Sequence, residues 1–535
     1  MWKIENNQWN INRLPCEVLS HIFILCGKAN NRRRGHPDLF CLTVLPVSHV
    51  KLVLMFSHRT HLSHRPYVSI GERWHLTQKM FIKPVVYLAS WLSLTDFSFF
   101  IFTQLWSVVT LSDNPPFNFS KLCLDRSGTT TSLDIEIDMS NRFWNHQEPE
   151  SEVYTNATID ALNFIVVHGG TPSRWRTFWF HMPWKVRGME PQIVVLNFIS
   201  ESPMPKLERF EVKYDGAHHR KIEERWGKLL SNKPLFQHPP PARLKVAVLE
   251  WVPNPYLFAG SLAGRPQIVG LTRLEVKFPP KLPKLEDFGA LLANSPMLEV
   301  LSIDTRINQC SHRSPNQGGQ NLPTSLPRIS LPKVRVLGLS FNTSHVFPWW
   351  GHSLLFMLNA PNVQSLRLLL ESPGCRGRVP VNQTFIDYII KGDDQTKPKP
   401  LFPLLTNLEL FVEPIVERSG RRYPNQEILK AYPSITTLIL PRPTELRMLS
   451  IQPWLVPCLN RLIVYARLAS ELRESISERC GADLGLKTVE VLVLDESNNE
   501  EIESKYIGEL YGLGVEISFS HSKHRVREVL GLDDI

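Results

Sequence analysis

A short apolar motif, L-x-x-L-x-L, recurs from about residue 200 onward and constrains the fold more than any other feature. Successive copies begin 21 to 42 residues apart. Because the hydrophobic content is 43%, a motif this loose also arises by chance, so its recurrence alone does not establish a repeat. The eleven copies are Leu207/Phe210/Val212, Val246/Leu249/Trp251, Leu271/Leu274/Val276, Leu298/Leu301/Ile303, Val334/Leu337/Leu339, Val363/Leu366/Leu368, Leu405/Leu408/Leu410, Ile435/Leu438/Leu440, Leu459/Leu462/Val464, Val489/Leu492/Leu494 and Leu510/Leu513/Val515.

Prolines indicate that these copies form a real repeat. In seven of the eleven copies, a proline stands two residues before the first apolar position. Random placement of the 42 prolines would produce roughly one such coincidence. Proline is tolerated at the entry of a strand, where no hydrogen bond of the ladder is lost. The seven are Pro205, Pro296, Pro332, Pro361, Pro403, Pro433 and Pro457.

Each copy predicts a short strand whose apolar side chains, two residues apart, face a core. Helical stretches at residues 285–294, 352–358 and 472–479 separate some of the copies. Stacking is required because one strand–helix unit cannot bury its own apolar face. The pattern resembles a leucine-rich repeat, although only the copy that continues to Asn342 fits L-x-x-L-x-L-x-x-N in full. We therefore predict an α/β leucine-rich-repeat-like solenoid over residues 201–520 and a tail at 521–535.

A second region, residues 11–26, combines a helix start with one apolar stripe. Pro15 suits the first turn of a helix, and the positive helix end favours the carboxylate of Glu17. From periodicity alone, the stripe fits equally well a helix docked on the chain's own domain. The order Leu-Pro-x-Glu-Val-Leu-x-x-Ile-Phe resembles the opening of an F-box, and residues 45–50 resemble the next helix of that module. The resemblance depends on Leu14, Pro15, Glu17, Val18, Leu19, Ile22, Phe23, Val47 and Val50.

The F-box resemblance implies a short helical module over residues 9–50 that docks on the Skp-type adaptor of an SCF ubiquitin ligase and its cullin core. The residues above, together with Trp74, would form the docking face. After Val50 the family pattern is interrupted, and fragments that resemble its continuation return only at residues 72–76 and 105–109. We therefore assign 51–104 to inserts, and hypothesise that 51–71 and about 80–104 are translated introns. Sequencing the transcript tests this, and a mature message encoding both inserts would refute it.

The second insert contains a mostly apolar stretch, residues 85–102, that is a marginal membrane-span candidate by hydropathy. Asp96 near its middle would cost about 2.5–3.5 kcal/mol on insertion, against about 0.3–0.6 kcal/mol gained for each good aliphatic residue or Phe. We therefore favour a translated intron over a membrane span.

Residues 105–200 are predicted to link the module to the repeats. Strict alternation over residues 133–139 predicts a half-buried strand whose three carboxylates share a solvated face. A calcium or catalytic cluster is disfavoured because no loop supplies further ligands. This strand also resembles a segment that follows the module in large fungal F-box families. Core packing is expected for three tryptophans that lack regular spacing with basic residues: Trp175, Trp179 and Trp184.

The outward side chains of the repeat strands are the predicted binding surface. Early copies alternate in charge, with Arg209/Glu211/Lys213 and Arg273/Glu275/Lys277 expected to be solvated. Later copies turn apolar, and an exposed apolar run across neighbouring strands is typical of an interaction patch. The alternative is that a C-terminal helix or residues 372–380 cover this run. The predicted substrate patch comprises Leu369, Phe411, Ile439, Ile463, Tyr465 and Val493.

The sequence has no Walker A, G-x-S-x-G, G-x-G-x-x-G or H-E-x-x-H motif, so we expect neither an enzyme nor a cofactor. His58, His61 and His64 share a helical spacing but have no Cys or carboxylate beside them, which disfavours a metal site. Residues 51–104 supply +4 of the net charge of +9, and the remainder is too thinly spread to predict nucleic-acid binding. Eight scattered cysteines and no signal peptide favour an intracellular protein, cytoplasmic or nuclear.

Together these features predict a substrate-recruiting adaptor that contacts the Skp-type adaptor through its N-terminal module and an unknown protein substrate through its repeats. Two alternatives remain open. One is a repeat scaffold that binds a partner without any connection to a ligase. The other is a non-functional product of a mispredicted gene, whose split module does not fold.

Overall fold

The computed structural model describes much of the chain from residue 106 onward. The described residues are 106–111, 117–139, 151–183, 186, 188–214, 233–258, 266–279, 282–305, 327–342, 348–371, 381–392, 398–412, 415–417, 420–422, 424–441, 443–465, 469–493, 499–520 and 524–530. The predicted module at 9–50 and the inserts at 51–104 lie outside them.

The chain divides into two compact units, residues 1–108 with 122–131, and residues 109–121 with 132–535. In the first unit, the indole of Trp106 is buried. The guanidinium carbon of Arg126 lies 4.7 Å from the centre of that ring. A cation over an aromatic face is attracted by the ring quadrupole, so this contact stabilises the position of the tryptophan.

The second unit is built on a fourteen-stranded sheet whose strands follow one another in chain order, and its described pairings from β2 to β18 are parallel. Separately, Ile329–Ser330 pairs with Leu358–Asn359, and Ile415–Glu417 pairs with Gly420–Arg422. The strands are β1 (Val108–Leu111), β2 (Leu133–Asp138), β3 (Trp175–Met182), β4 (Arg209–Tyr214), β5 (Val246–Glu250), β6 (Arg273–Lys277), β7 (Val300–Asp304), β8 (Ile329–Ser330), β9 (Val336–Asn342), β10 (Leu358–Asn359), β11 (Ser365–Glu371), β12 (Asn407–Val412), β13 (Ile415–Glu417), β14 (Gly420–Arg422), β15 (Thr437–Leu440), β16 (Arg461–Tyr465), β17 (Thr488–Leu492) and β18 (Glu516–Ser520).

Helices occupy many of the connections between strands, as parallel pairing requires. The predicted helical stretches at 285–294, 352–358 and 472–479 overlap the helices Leu285–Ala293, Pro348–Met357 and Ala469–Gly481 and are confirmed. Two 3₁₀ helices lie at Pro172–Arg174 and Pro443–Ser450. The α-helices are α1 (Asn118–Arg126), α2 (Ser151–Val167), α3 (Glu190–Glu201), α4 (Asn254–Phe258), α5 (Leu285–Ala293), α6 (Pro348–Met357), α7 (Val381–Lys391), α8 (Pro424–Ala431), α9 (Ala469–Gly481), α10 (Asn499–Leu510) and α11 (His524–Val529).

Two columns of apolar side chains run along the inward face of the sheet from β2 to β18, because the strand register aligns each with its counterpart in the next strand. All are buried except the pair on β18, which is half-buried. The first column is Ile135, Phe178, Phe210, Ala247, Leu274, Leu301, Leu337, Leu366, Leu408, Leu438, Leu462, Val489 and Ile517. The second is Ile137, Phe180, Val212, Leu249, Val276, Ile303, Leu339, Leu368, Leu410, Leu440, Val464, Val491 and Phe519.

The motif prolines have a specific structural role at the entry to each strand. In six of the seven copies that have the proline, the residue before it accepts a backbone hydrogen bond from the first apolar residue of the motif. Examples are Leu207 N to Met204 O (3.2 Å) and Leu459 N to Val456 O (3.1 Å). The proline is therefore the second residue of a tight turn, where its fixed φ matches the turn geometry. The prediction that proline stands at the strand entry is confirmed, and the turn supplies the reason for its spacing.

Three predicted copies have the wrong phase. Pairing of β4 with β5 aligns Phe210 with Ala247, so the second copy is Leu244/Ala247/Leu249 and begins two residues before Val246. Pairing of β16 with β17 shifts the tenth copy to Leu486/Val489/Val491. Pairing of β17 with β18 shifts the last copy to Gly514/Ile517/Phe519. Each of these segments contains several apolar residues at similar spacing, so more than one phase satisfies the motif, and pairing with the neighbouring strand selects one.

The region predicted to link the module to the repeats contributes strands to the same sheet. The alternating strand predicted at 133–139 is confirmed as β2, in which inward residues are buried and the carboxylates are half-buried. The next strand contains the motif as Trp175/Phe178/Phe180, with aromatic residues in place of leucine. Trp175 is buried and stacks on Phe178 at 5.1 Å, as predicted for a core residue. The same prediction is wrong for Trp179, which alternates with Phe178 and Phe180, faces away from the core and is half-buried. Trp184 lies outside the described residues.

Candidate functional site: the outward face of the sheet

Side chains that alternate with the two inward columns form the opposite face of the sheet, which we call the outward face. Its central row lies between the two columns, and further outward residues flank it on each strand. Most members of the row from β4 to β17 are buried, in contrast to a solvated sheet surface. From β4 to β17 the central row is Glu211, Val248, Glu275, Ser302, Gly338, Arg367, Glu409, Ile439, Ile463 and Glu490.

At β2 and β3, the outward face carries two charge pairs on either side of Glu136 and Trp179. Arg176 Nη2 lies 2.5 Å from Asp134 Oδ2, and His181 Nδ1 lies 3.1 Å from Asp138 Oδ1. Hydrogen bonding to Asp134 is the main cause of a raised pKa of Arg176. Two of the three carboxylates predicted for β2 thus have basic partners on β3, and the third, Glu136, accepts a hydrogen bond from Thr110 Oγ1 (3.2 Å). Pairs with this degree of exposure contribute about 1 kcal/mol or less each.

Glu211 on β4 is the most enclosed carboxylate of the early strands, with 1% of its surface exposed. Arg209 and Lys213, on the same face of the same strand, both contact it, and the Lys213 Nζ–Glu211 Oε2 distance is 3.0 Å. Burial alone raises the pKa of Glu211, but the charges of Lys213 and Arg209 outweigh burial, so the pKa lies below its ordinary value. Glu211 is therefore held as a buried carboxylate.

Glu275 on β6 contacts two arginines, one from its own strand and one from the C-terminal helix α11. Arg273 Nε donates to Glu275 Oε1 at 2.7 Å, and Arg527 Nη2 donates to Glu275 Oε2 at 2.6 Å. Arg273 is itself 2% exposed. The prediction that the charges around Glu211 and Glu275 are solvated is therefore wrong for Glu211, Arg273 and Glu275, which are buried in ion pairs with one another or with neighbouring charges.

Charge pairs continue on later strands. Arg367 Nε lies 2.8 Å from Glu409 Oε2, and Arg461 Nη2 donates to Glu490 Oε2 at 2.5 Å. In each pair the carboxylate is buried and the arginine is partly exposed. The outward face is therefore a mixed surface of buried carboxylates, partly exposed arginines and intervening apolar residues.

The predicted substrate patch faces outward as expected for five of its six members, but it is not exposed. Leu369, Phe411, Ile439 and Ile463 are buried, and Tyr465 is half-buried. The outward position predicted for Val493 is wrong because its copy has a different phase: Val493 follows Val491 on the inward side and is buried. The expectation of a freely exposed apolar run is thus wrong.

Helix α11 covers part of this face, which is one of the alternatives that the sequence left open. Val526 and Leu530 are 1% exposed and belong to a buried cluster with outward residues from β7, β15, β16 and β17. Val529 packs against this cluster and is half-buried. The outward residues of the cluster are Val300, Ile439, Ile463 and Leu492, with Val336 and Tyr465 packed against them.

The sequence contained a signal for α11 that the prediction did not use. Val526 and Leu530 are four residues apart, which places both on one side of a helix, and Arg527 lies beside the first.

Arg479 was also missed. It is a buried arginine on α9 that donates to carbonyl oxygens outside its own helix. No local motif identifies such an arginine.

Several other predictions concern residues that the structure does not describe. The ten predicted docking residues, from Leu14 to Trp74, lie outside the described residues, as do His58, His61 and His64. Within the part of the chain from 106 onward that the structure describes, no group of three or more His, Cys, Asp or Glu is arranged to hold a metal ion. Among the helices described there, none has the length and apolar character needed to cross a membrane.

Comparison of the sequence with protein-family models finds no matching family. Comparison with curated proteins likewise finds no match. The resemblance to an F-box therefore depends on the residues quoted above.

Proposed function

We propose that this chain is a substrate-recruiting adaptor of an SCF-type ubiquitin ligase, in which an N-terminal F-box-like module binds the Skp-type adaptor and a leucine-rich-repeat-like solenoid binds a protein substrate. The observation that favours this most is the in-register stacking of parallel strands from β2 to β18. Such arrays bury a continuous core along one side of each strand and present the other side as an extended binding surface.

The composition of the outward face supports a protein partner. Buried carboxylates with partly exposed arginines, such as Glu490 with Arg461, provide directional charge contacts. Aliphatic residues beside them, such as Ile439 and Ile463, add apolar area, which α11 covers in this structure. Mixed surfaces of this kind suit protein segments, for which electrostatic complementarity confers specificity and apolar contacts contribute affinity.

The connection to a ligase rests on the N-terminal resemblance. Five large apolar side chains of the stripe in residues 11–26, fully buried at a docking face, would contribute about 8–15 kcal/mol before the cost of association. Catalysis in this proposal is by proximity, because the chain would hold its substrate near a ubiquitin-loaded enzyme supplied by other subunits.

A repeat scaffold without a ligase connection is the alternative favoured by the same stacked sheet. It differs from the proposed adaptor only in what the N-terminal stretch binds. Recovery of the Skp-type adaptor therefore separates the two functions, whereas partner binding by the repeats does not.

In the chain that lacks residues 51–71 and 80–104, replacing both Leu19 and Ile22 by Asp should abolish co-purification of the Skp-type adaptor. Loss of two buried aliphatic contacts removes about 3 kcal/mol or more, which is roughly a hundredfold in affinity. Ser20→Asp adds a charge within the same stretch at a polar position and serves as the matched control. Equal recovery of the adaptor with the Leu19/Ile22 variant and with the control would contradict docking through this stripe.

A further inference from the structure

The α11 segment, residues 524–530, is held on the outward face by a small set of contacts. Two aliphatic side chains, Val526 and Leu530, enter the buried cluster, and Arg527 donates to Glu275 on β6. Glu275 lies far along the sheet from Ile463 on β16. One helix of six residues thus contacts β6 and also joins the cluster formed by β7 and by β15 to β17. A partner segment of the same size would reach the same set of strands.

The Glu275 carboxylate does not depend on α11 for a basic partner. Glu275 also receives a hydrogen bond from Arg273, its neighbour two residues earlier on β6. If Arg527 leaves, the carboxylate keeps a basic partner, so the large penalty for an unpaired buried charge is avoided. The contact between Arg527 and Glu275 can therefore be exchanged for a contact with another cation.

Arg273 also retains an unused hydrogen-bond donor. Its Nη1 is buried and has no hydrogen-bond partner among the described residues, although the residue is only 2% exposed. Buried donors in native proteins are nearly always satisfied, so one without a partner indicates a missing acceptor. A ligand on this face that brings a carboxylate, amide or carbonyl oxygen would satisfy Arg273 Nη1. The same ligand would also bring the basic side chain that contacts Glu275.

We propose that the outward face is the docking site for a short helical segment of a partner protein, with two aliphatic side chains four residues apart and a basic side chain directly after the first. Residues 524–530 match this description and occupy the site in cis, as a built-in competitor. The site rests on the proposed protein-binding function of the array and does not require the ligase connection. Partner binding then requires release of α11, and the apparent affinity falls by the fraction of chains in which the site is free.

The test uses a fluorescent peptide of residues 520–535 and full-length chains, with binding followed by anisotropy. Val526→Asp combined with Leu530→Asp should release α11 from the apolar cluster. We expect the peptide to bind this double variant at least about tenfold more tightly than the wild-type chain, in which the site is filled. Arg527→Glu in the full chain, a milder change, should raise peptide affinity in the same direction.

Specificity for the proposed contact is tested in the background of the double variant. Glu275→Gln should weaken peptide binding about fivefold or more, because a charge-assisted hydrogen bond is lost. Glu516→Gln removes an equal charge at the exposed start of β18 and should change affinity less than about twofold. Arg527→Glu in the peptide should weaken binding as much as Glu275→Gln in the chain does. Combining the two substitutions should cause no further loss, as expected for a directly coupled pair.

Equal peptide affinity for the wild-type chain, the Val526/Leu530 variant and the Arg527→Glu variant would overturn the proposal. So would a loss of peptide affinity on Glu275→Gln that is no larger than the loss on Glu516→Gln. Loss of cooperative unfolding in the Val526/Leu530 variant would also overturn it, because a segment required for folding cannot exchange with a partner. No ligase subunit enters this assay. Failure of peptide binding is therefore distinguishable from failure to recover the Skp-type adaptor.

Discussion

Replacing Arg479 by Met should lower the free energy of unfolding by about 3 kcal/mol or more. Arg479 is fully buried on α9, and its guanidinium donates to the carbonyl oxygens of Leu449 (3.4 Å), Leu455 (3.0 Å) and Val456 (3.0 Å). Methionine fills similar space but leaves these carbonyls without that donor. Val456 O keeps its backbone hydrogen bond from Leu459, so the cost falls on the carbonyls of Leu449 and Leu455. Each buried oxygen left unsatisfied costs about 1–3 kcal/mol, which exceeds what is regained by removing a buried charge whose pKa is lowered by desolvation.

The position of Val456 explains why this arginine matters for the repeat. Its φ is 46°, in the left-handed region that a β-branched residue rarely adopts. It precedes Pro457 and accepts the backbone hydrogen bond from Leu459 that closes the turn before β16. Arg479 therefore stabilises a strained turn from the adjacent helix.

Urea unfolding followed by circular dichroism measures this effect. Arg473→Met, at an exposed position on the same helix, is the matched control and should change stability by about 0.5 kcal/mol or less. Arg479→Lys keeps the charge but not the planar fork of donors, so it should be intermediate. Similar midpoints for Arg479→Met and Arg473→Met would show that the carbonyl contacts contribute little.

Leu244→Ala should destabilise the array by about 2–4 kcal/mol, whereas Val246→Ala should cost less than about 1 kcal/mol. Leu244 is 3% exposed and occupies the first apolar position of its copy, while Val246 faces outward and is half-buried. The two positions are two residues apart and both become alanine, so each serves as the control for the other. The comparison distinguishes the observed phase from the one that the motif alone predicts.

Unfolding midpoints of the two variants provide the measurement. The observed pairing of Phe210 with Ala247 requires the larger loss at Leu244. A larger loss for Val246→Ala would instead support the phase Val246/Leu249/Trp251 and contradict the register of β4 and β5.

The presence of the motif proline separates the copies whose phase could be predicted from the sequence from most of those whose phase could not. All seven copies preceded by proline have the predicted phase, and in six of them the proline lies in a turn that the first apolar residue closes with a hydrogen bond. Of the four copies without it, only the one beginning at Leu271 has the predicted phase. In the other three, several apolar residues satisfy the motif, and only pairing with the neighbouring strand selects among them.

The sequence predicts which side chains of the strands point outward, but it does not predict whether those side chains are buried. Alternation within a strand determines that Glu211 and Ile439 face away from the inward columns. Whether such residues contact water depends on segments distant in sequence, as shown by Arg527, which reaches Glu275 from 252 residues away. A prediction from local pattern therefore identified the surface and missed the helix that covers part of it.

The measurement that tests the proposed function most directly is co-purification of the Skp-type adaptor with two forms of the chain, one complete and one lacking residues 51–71 and 80–104. If the opening stretch at 11–26 and the segments at 45–50, 72–76 and 105–109 form one interrupted F-box, removing the inserts should restore a compact docking module. We predict stoichiometric recovery of the adaptor with the shortened chain, and loss of that recovery when Leu19 and Ile22 are replaced by Asp. Absence of the adaptor from both forms, while the repeats remain folded, would contradict the assignment to an SCF-type ligase.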